Sequence, residues 1–125
     1  MFDQAKLVGF VPTTDYDQAR AFYVGKLGFE FVSLDQFALV VRAGGHTFRI
    51  TKIANFVPLQ GTILGWEVAD IAAAVKWLRA RGVETQKYPF VSDKDLGIWD
   101  APGGTRVAWF TDPDGNILSF AQHVE

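Results

Sequence analysis

The chain has 125 residues, 49% of them hydrophobic, enough for a real core but too few for two ordinary domains. Twelve basic and fourteen acidic residues leave a net charge of −2, with no Lys or Arg cluster to track a phosphate backbone, so nucleic acid is not an expected partner. The absence of cysteine removes disulfides, thiolate nucleophiles and Cys-based metal sites, leaving His46 and His123 as the imidazoles.

No apolar run approaches the roughly 20 residues of a membrane helix. The opening "MFDQAKLVGF" has neither the basic start nor the apolar stretch of a signal peptide, so a soluble, cytoplasmic protein is expected.

In chain order, the apolar run "KLVGFVP" reads as a strand. It is followed by "DYDQARAFYVGKLG", where Ala19, Phe22, Tyr23 and Leu27 recur on one helical face. Asp15 is placed to cap that helix, Gln18 stands where a capping box has its third residue, and Gly28 supplies the stop. Three strand-like runs come next, "FEFVSL", "FALVVRA" and "HTFRITKI", parted by Asp35-Gln36 and Gly44-Gly45.

After "NFVPLQG" the pattern starts again. "TILGWEV" is a strand, and Leu64, Trp66 and Val68 are expected to pack beneath the helix that follows. "DIAAAVKWLRARG" is that helix, with Asp70 as cap, Ile71, Ala74, Val75 and Leu78 inward, and Gly82 as terminator. Asp15 falls on Asp70, Ala19 on Ala74 and Phe22 on Trp77 at one constant offset. The remaining strand-like runs are "ETQKYPF", "LGIWDA" with "RVAWFT", and "NILSFAQH", separated by Pro102-Gly103-Gly104 and by Asp112-Pro113-Asp114-Gly115. The fold class is therefore α+β. Two tandem βαβββ units, about residues 5–54 and 62–123, make one domain over residues 1–125, and neither unit is large enough to bury its sheet well alone.

Three stretches, "VPTTDYDQARAFYVGKLGFE", "VADIAAAVKWLRARGV" and "VAWFTDPDGNILSF", give the chain a resemblance to the vicinal oxygen chelate superfamily. That group includes glyoxalase I, extradiol dioxygenases and the fosfomycin- and bleomycin-resistance proteins. The resemblance spans nearly the whole chain and implies curved mixed sheets with helices outside and an internal cleft. It also implies that metal-dependent members carry one ligand on the first and one on the last strand of each unit. Here those positions fall on Val8, Arg49, Ile63 and Ser119. Two are hydrocarbon, one is a fixed cation with no lone pair, and a neutral hydroxyl is a poor ligand for divalent ions, so neither metal nor other cofactor is expected. His46 lies at an odd offset from Arg49 and turns to the other face of its strand.

Within that resemblance, Phe10 shares a face with Val8 and is expected to line the cleft, while Trp99 and Trp109 are candidate walls whose facing the pattern leaves open. Arg49, between Phe48 and Ile50, is either paired with an internal carboxylate such as Glu67 or is an anchor for an anionic ligand. Glu67 and His123 each lie four residues beyond Ile63 and Ser119. On neighbouring parallel strands they would stand side by side, about 13 Å along the sheet from the family's metal position. The turn "DPDG" reads as structural. The resemblance then implies a metal-free binding protein for a small aromatic or anionic molecule, working as a homodimer. An enzyme with Glu67 and His123 as acid and base and Arg49 as oxyanion stabiliser is the alternative. A filled cleft, with the protein acting through an interface, is a third reading.

Overall fold

The structure, a computed structural model, describes residues 1–124. Two units divide the chain, Met1–Val57 and Pro58–Glu125, and each carries its own four-stranded mixed sheet.

In the first unit β1 (Val8–Thr13) leads into α1 (Tyr16–Arg20), and β2 (Glu30–Leu34), β3 (Leu39–Ala43) and β4 (His46–Lys52) follow in the order β1-β4-β3-β2. The crossover through α1 makes β1 parallel to β4, and the two hairpins make the other pairs antiparallel. Asp15 caps α1 as expected, its carboxylate accepting from the N–H groups of Asp17 and Gln18. Past Arg20 the helix widens into a π-helical turn over Ala21–Lys26, in which the Leu27 N–H reaches back five residues to the Phe22 carbonyl. Ala19, Phe22, Tyr23 and Leu27 are all buried. Opposite them, Val11 and Thr13 of β1, Leu39 and Val41 of β3, and Phe48 and Ile50 of β4 are buried in turn. A chain of rings from Phe22 through Tyr23 and Phe29 to Phe48 joins the helix to the sheet. Alternation sends Val8, Phe10, Thr47 and Arg49 to the other, open face.

The second unit repeats the plan with β5 (Thr62–Glu67), α2 (Ile71–Ala80), β6 (Ile98–Asp100), β7 (Arg106–Thr111) and β8 (Ile117–Gln122), ordered β5-β8-β7-β6. Asp70 caps α2 through the Ala73 N–H, and Gly82 ends it at φ 80°, where a side chain would be strained. Ile71 and Val75 pack on Leu96, Ile98 and Ala108, with Val68 and Phe120 beside them. Trp66 is half-buried on that same helix-side face, stacked on Phe110 at 6.4 Å and edge-on to Phe120 at 6.3 Å, so its expected core role holds. Trp77, the sequence counterpart of buried Phe22, is instead exposed beneath the Arg81 guanidinium.

The run 84–90 is a loop and not the strand its composition suggests. Pro89 has no N–H to donate, the Thr85 hydroxyl is held by the Leu96 carbonyl at 2.6 Å, and one main-chain bond, Gln86 N–H to Trp109 carbonyl at 2.7 Å, ties the start of the run to the sheet. "DPDGN" is structural, as read. The buried Asp112 carboxylate accepts from the main-chain N–H groups of Asp114 and Asn116 and from the Asn116 amide, and Gly115 supplies a φ of 88°.

Candidate functional site

Strand register decides which expected site residues meet. In the first unit Phe10 lies beside Arg49, with Val40 on its other side and Ser33 beyond, a row running across the open face of the sheet. Val8 is one step away, opposite Thr47. Phe10 is 65% exposed and Val8 40%, as open-face positions should be. Arg49 is half-buried, and among the described residues no carboxylate lies within ion-pair distance of it. Its field reaches Asp35 in the β2–β3 turn. That carboxyl is held below its ordinary value, first by the N–H groups of Phe37 and Ala38, which its Oδ1 accepts at 2.7 and 3.0 Å, and then by the Arg49 charge. Glu67, the internal carboxylate named as one alternative partner for Arg49, lies instead against His123, Oε1 to Nε2 at 3.2 Å.

In the second unit the equivalent row begins with Gly65 beside Ser119, and Trp109 pairs Ser119 from the far side. A register shift between Thr62 and Leu64 leaves Ile63 without a partner in the ladder, and Gly65 is the neighbour of Ser119. Gly65 is a close-approach glycine: a Cβ there would stand 2.6 Å from the Ser119 Oγ. These positions do not fit a divalent ion. One unit offers a phenyl ring and a guanidinium, the other a glycine and a hydroxyl, and among the described residues no three His, Asp or Glu side chains come together.

Because Ile98, Ala108 and Phe110 face α2, Trp99 and Trp109 take the open face, which settles the facing the sequence left undecided. They stack on each other at 6.0 Å. Tyr88 and Phe90, from the 84–97 loop, complete the cluster. The two are parallel at 5.4 Å, and both stand nearly perpendicular to Trp109 at 5.7 Å, in the edge-to-face geometry that aromatic quadrupoles prefer. The Trp109 indole is held in orientation by its Nε1–H, which donates to the Thr62 hydroxyl at 3.1 Å. Beside it opens a cavity of about 460 Å³ lined by the Gln60–Thr62 segment, Tyr88, Phe90, Trp109 and Ile117. Sequence reading gave Tyr88, Phe90, Gln60 and Thr62 no role. The only available signal was two aromatic residues flanking a proline in an otherwise polar run.

Glu67 and His123 do stand side by side, Oε1 to Nε2 at 3.2 Å, at the end of the β5–β8 pair. The His123 Nδ1 is 3.4 Å from the Thr105 hydroxyl, and a second cavity, of about 540 Å³, borders the pair. The pair is open to water, 79% exposed at Glu67 and 51% at His123. Neighbouring Gln122 is spent on structure, accepting from the Ile71 N–H at the start of α2.

A family model described as the Glyoxalase/Bleomycin resistance protein/Dioxygenase superfamily matches residues 4–120, and the chain belongs to that superfamily. Among solved structures, a bleomycin-binding protein complexed with bleomycin is 22% identical, with 97% of this chain and 100% of that one covered at a TM-score of 0.73. An antibiotic binding protein from Streptomyces sp. CB03234 is 23% identical, with 97% of each chain covered at 0.69. A superfamily member from Sphaerobacter thermophilus DSM 20745 is 25% identical, with 98% and 100% covered at 0.73. Such distances establish a shared fold. No curated protein matches the chain significantly. Among the described residues no helix is long and apolar enough to cross a membrane.

Proposed function

We propose that this protein binds a small planar organic molecule without the help of a metal, sequestering it and not transforming it. The observation that carries this reading is the ring cluster of Tyr88, Phe90, Trp99 and Trp109 beside a cavity of about 460 Å³. Its lining is largely aromatic and aliphatic with a few polar groups, the usual make-up of a ligand site, and it contains no nucleophile activated by a base. Relatives of the same fold described as bleomycin-binding and antibiotic binding support a binding role. In the other unit Arg49, half-buried and with no ion-pair partner among the described residues, is proposed in its own right as an anchor for an acidic group, with Phe10 and Val8 as its apolar flank. Ile63 and Ser119 are the further proposed contacts. The protein is proposed to act as a cytoplasmic homodimer, its free sheet edges being surfaces that need protection.

The test is a titration of planar aromatic compounds followed by tryptophan emission and by the NMR signal of the Trp109 indole N–H. Binding should move that signal, and Trp109→Ala should weaken any hit by about tenfold or more. A panel in which nothing moves the Trp109 signal overturns the reading.

One observation favours a second reading. The 3.2 Å contact between Glu67 and His123 is an acid/base pair beside its own cavity, as an enzyme of this superfamily would need. It predicts turnover that disappears in both Glu67→Gln and His123→Gln.

A further inference from the structure

The cavity beside Trp109 has a chemical character beyond being apolar. None of its lining side chains carries a charge. Buried against these rings, an ionised group on a ligand would lose hydration and meet no counter-charge. The lining does hold hydrogen-bonding groups with capacity to spare. The exposed Gln60 amide offers a donor and an acceptor a fixed distance apart, and it makes no hydrogen bond to any other described residue. The Tyr88 hydroxyl likewise bonds no other described residue. The Thr62 hydroxyl already accepts from Trp109, so its proton is free to be donated.

Resting on the binding role proposed above, we infer that the ring system entering this cavity is an uncharged heteroaromatic with an amide-like edge, an N–H beside a C=O, read by Gln60 while the rings of Tyr88, Phe90 and Trp109 hold its faces and edges. A carboxamide is the side chain that pairs two-pronged with such an edge. Aromatic residues beside it supply stacking that tolerates the rest of the ligand. The cavity volume suits a bicyclic ring of this kind.

Four probes of one size separate the possibilities: quinolin-2(1H)-one with the lactam edge, quinoline without it, N-methylquinolinium as the cation and quinoline-2-carboxylate as the anion. Affinities are read from the Trp109 indole N–H signal at neutral pH. The lactam should bind about tenfold tighter than quinoline, the amount two neutral hydrogen bonds supply. Gln60→Leu should remove that preference and leave quinoline unchanged, and Gln60→Glu, which keeps acceptors but loses both donors, should remove it too. Gln60 is exposed, so neither change threatens the fold. Tighter binding of the cation would assign the rings to cation–π recognition and overturn the inference, as would tighter binding of the anion or a lactam preference that survives Gln60→Leu. If none of the four moves the Trp109 signal, the binding role falls with it, whereas binding without preference sinks the amide-edge inference alone.

Discussion

Removing the Arg49 side chain separates an anchor held ready for a ligand from a member of an internal ion pair. Arg49 stands in the middle of the row Phe10–Arg49–Val40, half-buried, with no carboxylate in ion-pair range among the described residues. A buried pair that loses one partner costs about 3 to 5 kcal/mol, because the other charge is left uncompensated. Nothing in the first unit is left in that state when Arg49 becomes Ala. The loss is then the packing of its methylene stem, about 1 kcal/mol or less, or a fall in Tm of about 4 °C for a chain of this size. Asp35 supplies an independent readout. Its carboxyl is lowered from 3.8 mainly by the Phe37 and Ala38 N–H groups, which Arg49→Ala does not touch, so its pKa should rise only slightly and stay below that value. The sign follows: a depressed carboxyl stabilises the fold above its unfolded pKa, and that contribution fades as pH falls through the folded value. The variant's acid unfolding profile should therefore nearly overlay that of the wild type. Urea unfolding followed by tryptophan emission, with a carbon-detected titration of Asp35, measures both. A stability loss near 3 kcal/mol, or an Asp35 pKa that returns to 3.8, would show that Arg49 serves the fold and not a ligand.

Gly65→Ala should cost up to about 1 kcal/mol, because its Cβ would lie 2.6 Å from the Ser119 Oγ and force that hydroxyl out of its present rotamer. In a Ser119→Ala background the nearest remaining atoms are the residue 119 main-chain oxygen at 3.5 Å and Cβ at 3.9 Å, so most of the cost should vanish. Additive effects in that double-mutant cycle would refute the contact. Purified protein should carry no stoichiometric divalent metal and should sediment as a dimer. About one zinc, nickel, iron or manganese per chain, or a single 13.9 kDa species at micromolar concentration, would contradict the respective proposal.

What the sequence revealed is what short-range physics controls. Both helices follow from apolar periodicity, and both caps, Asp15 and Asp70, act through main-chain N–H groups two or three residues away. The adjacency of Glu67 and His123 was also legible, since crossover topology and strand parity suffice to place them. Features that depend on register or on a single captured side chain were not. Nothing in "TILGWEV" announces the register that sets Gly65 beside Ser119 or the one-residue shift that leaves Ile63 without a partner. β6 is three residues long, too short for alternation to reveal the facing of Trp99. The run 84–90 has the composition of a strand, yet Thr85 gives its hydroxyl to Leu96, and the aromatic residues after it turn to Trp109. The π-helical turn of Ala21–Lys26 also left no mark in the periodicity. It offers a physical reason why Phe22 is buried and Trp77 is not: a wider turn changes the direction in which a residue at the same offset points.

The two units agree where packing dictates and part where it does not. On the helix-side faces, Val11, Phe48 and Ile50 in one unit and Trp66, Phe110 and Leu118 in the other are all large and apolar, since a hole there would cost several kcal/mol. The open faces carry no such constraint. At matching places in the two sheets one unit has Phe10 beside Arg49 and the other has Gly65 beside Ser119, which differ in size, charge and hydrogen-bonding capacity. The second unit gathers Tyr88, Phe90, Trp99 and Trp109 on its open face and fixes one indole with a hydroxyl, while the first leaves a half-buried guanidinium with no ion-pair partner among the described residues. A cluster of rings partly open to water and a half-buried guanidinium both gain from a partner that covers them. For the ring cluster the proposed planar ligand is such a partner, and for Arg49 an acidic group.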